Sequence, residues 1–282
     1  LSGEGADEIL GGYMFHRKLK QIAKVKSVVP SAVFGLAADV ASVMPVAVLE
    51  RLFDYPGALG EEGKRKIVEM TRRIGSASLS SLYRSAVSLF DPDDIRALAG
   101  HPALARLADV APGPTLAETP GATALQALVD MQYPDWLPDD ILMKADKMSM
   151  AHSLEGRVPF MDEIVISAAA SLPDHTKIGR AGNKLALRRF ASRLLPEEVV
   201  RAPKRAFYIP LESYARTQPL AGIFDWALDS ARVKRRGLFS PEWIAAQRNA
   251  GPEKGFLPLK RLFSIVMLEL WFERFAPNVG WT

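Results

Sequence analysis

The sequence predicts a mainly α-helical protein, and three observations support this fold class. Apolar residues recur every three or four positions along much of the chain, the spacing that gives a helix one buried face. Residue types that begin and end helices flank several of these runs. Signals for β-strands are nearly absent, and the two short candidates are GRVPF at residues 156–160 and AFYIPL at residues 206–211.

The first half of the chain contains four successive helical runs. DEILGGYMFHRKLKQIAKV (residues 7–25) is apolar at its start and then becomes polar. EEGKRKIVEMTRRIG (residues 61–75) is amphipathic, with Gly75 as a predicted C-cap. A run over residues 78–90 precedes DPDDIRALAG, in which Asp91 is a predicted N-cap, Pro92 occupies the first helical position and Gly100 follows the end.

Residues 28–49, VVPSAVFGLAADVASVMPVAVL, are apolar over a length sufficient to span a bilayer. A membrane span and a buried core helix are the two interpretations. Asp39 lies at the centre, where a carboxylate costs about 2.5–3.5 kcal/mol on insertion scales. Pro30 and Pro45 also divide the segment. The buried core helix is therefore the favoured interpretation.

The second half begins after one flexible stretch, DVAPGPTLAETPGAT, at residues 109–123. It is either a linker between domains or a long surface loop. We predict a nucleotide-loop and helical part over residues 1–108, a flexible loop over 109–124, and a second helical part over 125–282. The final run, PLKRLFSIVMLELWFERFA, is predicted to pack on a core because it is strongly apolar at Leu262, Phe263, Val266, Met267, Leu270 and Trp271.

Composition excludes several classes of site. The 282 residues are 48% hydrophobic and 24% charged, which is typical of a globular protein, and the net charge is only +4. Basic runs are not interleaved with aromatic residues, so a nucleic-acid surface is not predicted. The absence of cysteine excludes disulfides, zinc–thiolate sites and a cysteine nucleophile, and fits a cytoplasmic protein. The four histidines do not have metal-ligand spacing.

The opening stretch LSGEGADEILGGY combines four glycines with three carboxylates and no basic residue. Asp7 and Glu8 are predicted in the first turn of a helix, where acids interact favourably with the helix dipole. That role leaves Glu4 and the flanking Gly3 and Gly5 unexplained. In the alternative interpretation, glycine amides hold a polyphosphate and the carboxylates hold a bridging Mg²⁺. The residues by themselves favour neither interpretation.

Three stretches, in order, resemble the synthetase domain of glutamine-dependent asparagine synthetases, within the ATP-pyrophosphatase superfamily. The opening stretch resembles that family's second signature loop. LPDDILMKADKMSMAHSLEGRVPFMD (residues 137–162) and NKLALRRFASRLLPEEVVRAPKRAFYIPL (residues 183–211) resemble two further segments, and ELWFERF resembles the closing helix. The resemblance implies the helical C-terminal portion of an α/β synthetase domain whose parallel strands lie upstream of this chain.

The resemblance also implies the chemistry. Such enzymes use ATP to convert the aspartate β-carboxylate to β-aspartyl-AMP, releasing pyrophosphate, and ammonia derived from glutamine then displaces AMP to give asparagine. The implied cofactors are ATP and Mg²⁺. The implied roles are ATP binding by Ser2, Gly3 and Gly5, a Mg²⁺ ligand at Asp7, and catalytic roles for Glu4 and Lys204.

Further cleft candidates have structural alternatives. The carboxylate of Glu8 can interact favourably with the helix dipole. Lys204 and Arg205 can be an exposed basic pair. Asp139 and Asp140 follow Pro138 and are predicted to cap a helix. For the remaining candidates, we predict surface pairs among Lys144, Asp146 and Lys147, and a Glu155–Arg157 pair that supports the cleft.

The sequence departs from the family pattern in places. Ala206 replaces a usual glycine, and Gly156 replaces a larger apolar residue, which bears on substrate identity. Neither an SGGLDS-type pyrophosphate loop nor a glutaminase domain is present in these 282 residues. We therefore expect the C-terminal part of a larger enzyme, with little or no ligase activity by itself.

Two alternatives to asparagine synthesis remain open. One is a related ligase that amidates another carboxylate or closes a lactam or macrolactam. The other is a non-catalytic helical domain that serves in assembly. The predicted partners are aspartate, glutamine-derived ammonia and the missing glutaminase and pyrophosphate-loop segments, without nucleic acid or membrane. A homodimer is a candidate assembly.

Overall fold

The computed structural model describes residues 1–53, 60–110, 121–134, 136–203, 209–250 and 257–281, and these ranges are mainly α-helical, as predicted. The described strands form one antiparallel pair, β1 (Ile178–Gly179) and β2 (Gly182–Asn183). Ile178 pairs with Asn183, and Gly182 has a φ of +132°, which glycine adopts without the steric cost of a side chain. The two predicted strand candidates did not include this hairpin.

The first half of the chain contains α1 (Ala6–Ile9), α2 (Met14–Lys26), α3 (Ser31–Val43), α4 (Val46–Phe53), α5 (Gly60–Arg73), α6 (Leu79–Val87), α7 (Pro92–Leu98), α8 (Pro102–Arg106) and α9 (Ala124–Asp130). A 3₁₀ turn covers Leu107–Asp109. The second half contains a π-helix (Trp136–Leu142), α10 (Met143–Met150), a 3₁₀ turn (Pro159–Met161), α11 (Glu163–Ser171), α12 (Asp174–Lys177), α13 (Leu185–Ala191), α14 (Glu197–Arg201), α15 (Leu211–Tyr214), α16 (Leu220–Ala227), α17 (Ser230–Arg236), α18 (Pro241–Arg248) and α19 (Leu257–Phe275).

The chain divides into two compact units. The first unit comprises Leu1–Ser31, Ile74–Ala86 and Gly113–Arg205. One of its apolar clusters joins α1 to α11 through Ile9, Leu10 and Ala169, and another joins α9 to β1 through Leu125, Val129 and Ile178. The opening stretch is therefore anchored in the core of the first unit.

The second unit comprises Ala32–Arg73, Val87–Pro112 and Ala206–Thr282. Its largest described cluster packs α16, α18 and α19 around residues such as Phe224, Ile244 and Val266. α19 confirms the helix predicted near the end of the chain. Met267 and Trp271 were predicted to pack on a core, but they are 50% and 51% exposed because they lie on the outer face of α19.

The predicted helical run over residues 7–25 is interrupted. α1 ends at Ile9 and α2 begins at Met14, because Gly11 has a φ of +67° and turns the backbone between them. A β-carbon at Gly11 would lie 2.7 Å from the Ile178 Cδ1 atom. Glycine therefore permits both the turn and the close approach of β1.

Residues 28–49 form α3 and the start of α4, separated near Pro45 as predicted. The prediction of a buried core helix is only half correct. Phe34, Ala38 and Ala41 are buried, whereas four other apolar residues of α3 are exposed, namely Val33, Leu36, Val40 and Val43. Among the described residues, no helix is both long enough and apolar enough to cross a bilayer.

Helix-capping predictions met different outcomes. Asp91 forms a reciprocal capping box with Asp94 at the start of α7, and Pro92 occupies the first turn, as predicted. Asp139 and Asp140 do not cap a helix, because the helical segment begins earlier, at Trp136.

GRVPF is not a strand, since Pro159–Met161 is a 3₁₀ turn. Residues 206–208, the first half of AFYIPL, and residues 111–120 of the predicted flexible loop lie outside the described residues.

Candidate functional site

The opening stretch forms a partly exposed turn that leads into α1. The Ser2 amide donates to the Arg157 carbonyl at 2.8 Å, which joins the turn to the segment that follows α10. The Ser2 hydroxyl accepts from the Glu4 amide at 3.4 Å. Gly5 then reverses the backbone with a φ of +89°. Two of the three stretches that carry the family resemblance are therefore in direct contact.

Three of the four opening glycines have a structural reason within the chain. A β-carbon at Gly5 would lie 2.2 Å from the Met161 Cε atom, and Gly11 is required at the turn described above. A β-carbon at Gly12 would lie 1.7 Å from the Asp7 Oδ1 atom and 2.8 Å from its Cα atom. Each of these positions excludes a side chain.

Gly3 differs from the other three glycines. It does not adopt a positive φ. A β-carbon at Gly3 would meet no heavy atom within 4 Å among the described residues. Neither backbone conformation nor packing in the described part of the chain requires glycine here. Glycine at this position also leaves room for a ligand to approach the backbone closely.

Replacement of Gly12 by alanine is expected to destabilise the protein by about 1–3 kcal/mol, because the new methyl group displaces Asp7. Urea denaturation measures the change. Gly3→Ala is the matched control and is expected to change stability by less than about 0.5 kcal/mol. Equal destabilisation by both replacements would contradict the packing described here.

Asp7 forms an ion pair with Lys184. The Lys184 Nζ atom lies 2.8 Å from Asp7 Oδ1, and the two side chains are 22% and 26% exposed. Lys184 has a φ of +54°, which is uncommon for a residue with a side chain. The neighbouring Asn183 side chain donates to the carbonyls of Gly12 and Tyr13 at 2.9 and 3.1 Å. The β-hairpin and the start of α13 thus hold the opening stretch.

Glu8 lies in the first turn of α1 as predicted, but its side chain points inward and the residue is only 2% exposed. Its carboxylate accepts a hydrogen bond from the Tyr13 hydroxyl. The same hydroxyl accepts from the Trp136 indole at 3.3 Å. Burial raises the pKa of Tyr13, and the hydrogen bond to Glu8 raises it further, so the phenol stays protonated at neutral pH.

The cleft candidates between residues 137 and 162 are exposed. Lys144 pairs with Asp140 at 2.7 Å, and not with Asp146 as predicted, because four-residue spacing places their side chains on one helix face. The predicted Glu155–Arg157 pair is confirmed, with an N–O distance of 2.6 Å. The contact of this segment with the opening turn is made by the Arg157 backbone and not by its charged side chain.

Lys204 and Arg205 lie outside the described residues. The chain immediately before them is held by Arg188 of α13. The Arg188 guanidinium donates to the carbonyls of Val200 and Ala202, the latter at 3.1 and 3.2 Å. α13 follows directly on Lys184, the partner of Asp7. Lys184, at the N-cap of α13, therefore contacts the opening stretch, and Arg188, within α13, contacts residues Val200 and Ala202.

The carboxylates of the opening stretch are compatible with a metal ion that is bound partly by the protein and partly by the phosphates of a substrate. Mg²⁺ is usually held through one or two carboxylates plus phosphate oxygens. Asp7 offers one partly exposed carboxylate, already paired with a cation. In the described ranges, no three acidic or histidine side chains cluster closely enough to hold a metal ion by themselves. A closed metal site made by the described residues alone is not supported.

Sequence reasoning missed the role of four residues: Tyr13, Trp136, Asn183 and Lys184. The only sequence signal for these four residues was their position inside or next to the segments that resemble the family. Two surface cavities, of about 420 and 290 Å³, lie in the second unit and contain none of the predicted site residues. The opening stretch is thus a partly exposed turn and not part of either cavity.

The chain is similar in sequence to proteins of one known family. The family model described as asparagine synthase matches residues 1–273. The glutamine-hydrolysing asparagine synthetase 1 of Bacillus subtilis is 32% identical over 223 residues, which cover 77% of this chain and 32% of that protein. A putative glutamine-hydrolysing asparagine synthetase of Mycobacterium tuberculosis is 31% identical over 253 residues, which cover 84% and 33%. No solved structure matches.

A shorter match is to a protein from an animal. The glutamine-hydrolysing asparagine synthetase of Gallus gallus is 41% identical over 69 residues, which cover 23% of this chain and 12% of that protein. The chain spans about a third of the length of the two bacterial relatives.

Proposed function

Because the chain belongs to the asparagine synthase family, we propose that it supplies part of the synthetase site of an ATP-dependent amide ligase. The proposed enzyme activates the β-carboxylate of aspartate with ATP and aminates it with ammonia from glutamine. We assign the glutaminase activity and a second phosphate-binding loop to sequence outside these 282 residues. The proposed fold of the complete domain is the α/β ATP-pyrophosphatase fold.

The observation that carries this proposal is the open space at Gly3. Gly3 is exposed, and the space around it leaves room for a polyphosphate bound against the backbone. Glu4 is adjacent, and Asp7 with its Lys184 partner follows in the next turn. The opening stretch thus presents the carboxylates of Glu4 and Asp7, and the ammonium group of Lys184 lies beside Asp7.

In the first proposed step, an oxygen of the aspartate β-carboxylate attacks the α-phosphorus of ATP. The bond from that phosphorus to the bridging oxygen breaks, and pyrophosphate leaves with the electron pair. Fixed ammonium groups stabilise the negative charge that accumulates on the phosphates, and we assign this role to Lys184 and Lys204. A Mg²⁺ ion held by Asp7 supplies further charge neutralisation when bound.

In the second proposed step, ammonia attacks the acyl carbon of β-aspartyl-AMP, and AMP leaves. The attacking nitrogen becomes cationic and must lose one proton to give the neutral amide. We assign Glu4 as the group that accepts this proton, because it is a partly exposed carboxylate on the opening turn. Ser2 and the amides near Gly3 and Gly5 hold the nucleotide.

The test is product analysis with the full-length product of the gene. Incubation with ATP, Mg²⁺, aspartate and glutamine or ammonium is expected to yield asparagine, AMP and pyrophosphate in equal amounts. Pyrophosphate release with another carboxylate, and not with aspartate, would assign the enzyme to a different amide or lactam synthesis. Absence of pyrophosphate release with every carboxylate tried would favour the non-catalytic assembly role.

A further inference from the structure

Tyr13 connects two segments that are distant in sequence. Its hydroxyl donates to the buried carboxylate of Glu8 and accepts from the indole of Trp136. Glu8 belongs to α1, directly after the opening turn, and Trp136 begins the π-helix that leads into α10. Both hydrogen bonds converge on one oxygen atom. Movement of either segment must therefore break or lengthen one of them.

The aromatic ring of Tyr13 is also fixed. It stacks on Phe15 with ring centroids 5.2 Å apart and meets the edge of His16 at 5.5 Å. His16 is fully buried and its Nε2 atom lies 2.8 Å from the side-chain oxygen of Gln132. The Gln132 carbonyl in turn accepts from the Leu137 amide at 3.0 Å. The hydroxyl thus contacts Trp136 directly, and the ring contacts His16, which in turn contacts Gln132.

We propose that Tyr13 is a positioning residue that holds the opening turn in register with the segment beginning at Trp136, through Glu8. This inference rests on the proposed function, because the opening turn that Tyr13 would hold is the proposed nucleotide site. It assigns no contact with substrate to Tyr13. A single-turn helix such as α1, with four residues, is not stable by itself and needs tertiary contacts. Glu8 is the anchor of that helix, whereas Asp7 is paired with Lys184 and Glu4 lies on the opening turn.

The π-helix supports this assignment. Segments with this wide hydrogen-bonding pattern are rare, and they occur frequently at functional sites. Here the segment covers Trp136–Leu142, which includes the LPDD sequence of the second family-like stretch. Trp136 is 39% exposed, so burial alone does not fix its position. The hydrogen bond to Tyr13 supplies a specific contact instead.

Substitutions of Glu8 distinguish a positioning role of this residue from a metal-binding role. A positioning role requires only an oxygen that accepts the Tyr13 proton, which the amide of glutamine also offers. A metal-binding role requires the negative charge. Glu8→Gln is therefore expected to recover most of the turnover that Glu8→Ala loses, whereas a charge-dependent role predicts equal loss in both variants.

The experiment compares Tyr13→Phe with Tyr133→Phe in the full-length product. Tyr133 is a matched control because it is also partly buried in the first unit. Burial raises the pKa of Tyr133, and the residue lies near enough to Glu8 for that charge to help raise it, but no hydrogen bond joins its hydroxyl to Glu8 in the described structure. We expect Tyr13→Phe to lower kcat for aspartate-dependent pyrophosphate release by about 10- to 100-fold, the scale expected for a misplaced catalytic group, with a smaller change in KM for ATP. Tyr133→Phe is expected to leave kcat unchanged.

Equal kcat values for the two tyrosine variants, or equal loss in Glu8→Gln and Glu8→Ala, would overturn the proposal. If the unmodified protein releases no pyrophosphate, the proposed function fails and amide hydrogen exchange decides the role of Tyr13. Peptides covering residues 3–12 are expected to exchange at least about tenfold faster in Tyr13→Phe than in Tyr133→Phe. Equal exchange rates would overturn the positioning role without reference to activity.

Discussion

Replacement of Lys204 by alanine is expected to lower the rate of pyrophosphate release by about 10²- to 10³-fold, the scale for removal of one fixed group that stabilises transition-state charge. Lys204 is assigned from the PKR motif in the third family-like segment. The preceding chain is held by Arg188 of α13, the helix that follows Lys184.

The measurement for Lys204 is a continuous pyrophosphate assay with saturating ATP and aspartate, together with thermal unfolding. Lys24→Ala is the matched control, because Lys24 is an exposed lysine in the last turn of α2. Both variants are expected to unfold at the temperature of the unmodified protein. Pyrophosphate release at the normal rate by Lys204→Ala would remove Lys204 from the site.

Replacement of Glu4 by glutamine is expected to lower the rate of asparagine formation by about 10²- to 10⁴-fold, the range for loss of a general acid or base. Glutamine preserves the shape of the side chain but cannot accept the proton from the attacking nitrogen. Glu4 makes only a 3.4 Å backbone contact with Ser2 in the described chain, so stability is expected to change little. The assay quantifies asparagine and pyrophosphate separately.

The two products distinguish the steps in which Glu4 acts. Pyrophosphate release that survives while asparagine formation falls places Glu4 in the amination step. Loss of both places it in formation of the acyl-adenylate as well. Glu163→Gln, at an exposed position in the first turn of α11, is the control and is expected to behave as the unmodified protein. Normal asparagine formation by Glu4→Gln would contradict the assignment.

Helices and caps were predictable where local sequence determines them. The amphipathic run of α5 and the Asp91–Pro92 start of α7 depend on residues within a few positions of one another. The interruption between α1 and α2 was not predicted, because Gly11 and Gly12 within an apolar run are compatible with a helix as well as a turn. The approach of β1 to Gly11 and of the Asp7 side chain to Gly12 decides between the two.

Burial was less predictable than secondary structure. Asp39 is the single charged residue of α3, so the sequence gives little indication of which face of this helix packs inward. The structure buries Phe34, Ala38 and Ala41 and leaves Leu36 and Val43 exposed. A helix with so few polar residues lacks the broad polar face that normally identifies the solvent side.

The candidate site was predictable in its opening residues and not in their partners. The glycines and carboxylates are consecutive in sequence, so the motif is visible without a structure. Lys184 and Trp136 reach Asp7 and Tyr13 only through the packing of the first unit. A lysine and a tryptophan without a local motif carry no signal of these contacts. Long-range pairs of this kind depend on tertiary structure.

The most direct test of the account is ATP binding to Gly3→Ala, measured by calorimetry with Mg²⁺ and the full-length product of the gene. The described chain leaves open space around a β-carbon at Gly3, so the variant is expected to fold normally and unfold at the unchanged temperature. If the opening turn holds the ATP phosphates, the methyl group enters the ligand's space, and the dissociation constant is expected to rise by at least about tenfold, or 1.4 kcal/mol. Equal affinity of the variant and the unmodified protein would contradict the assignment of this turn to the nucleotide.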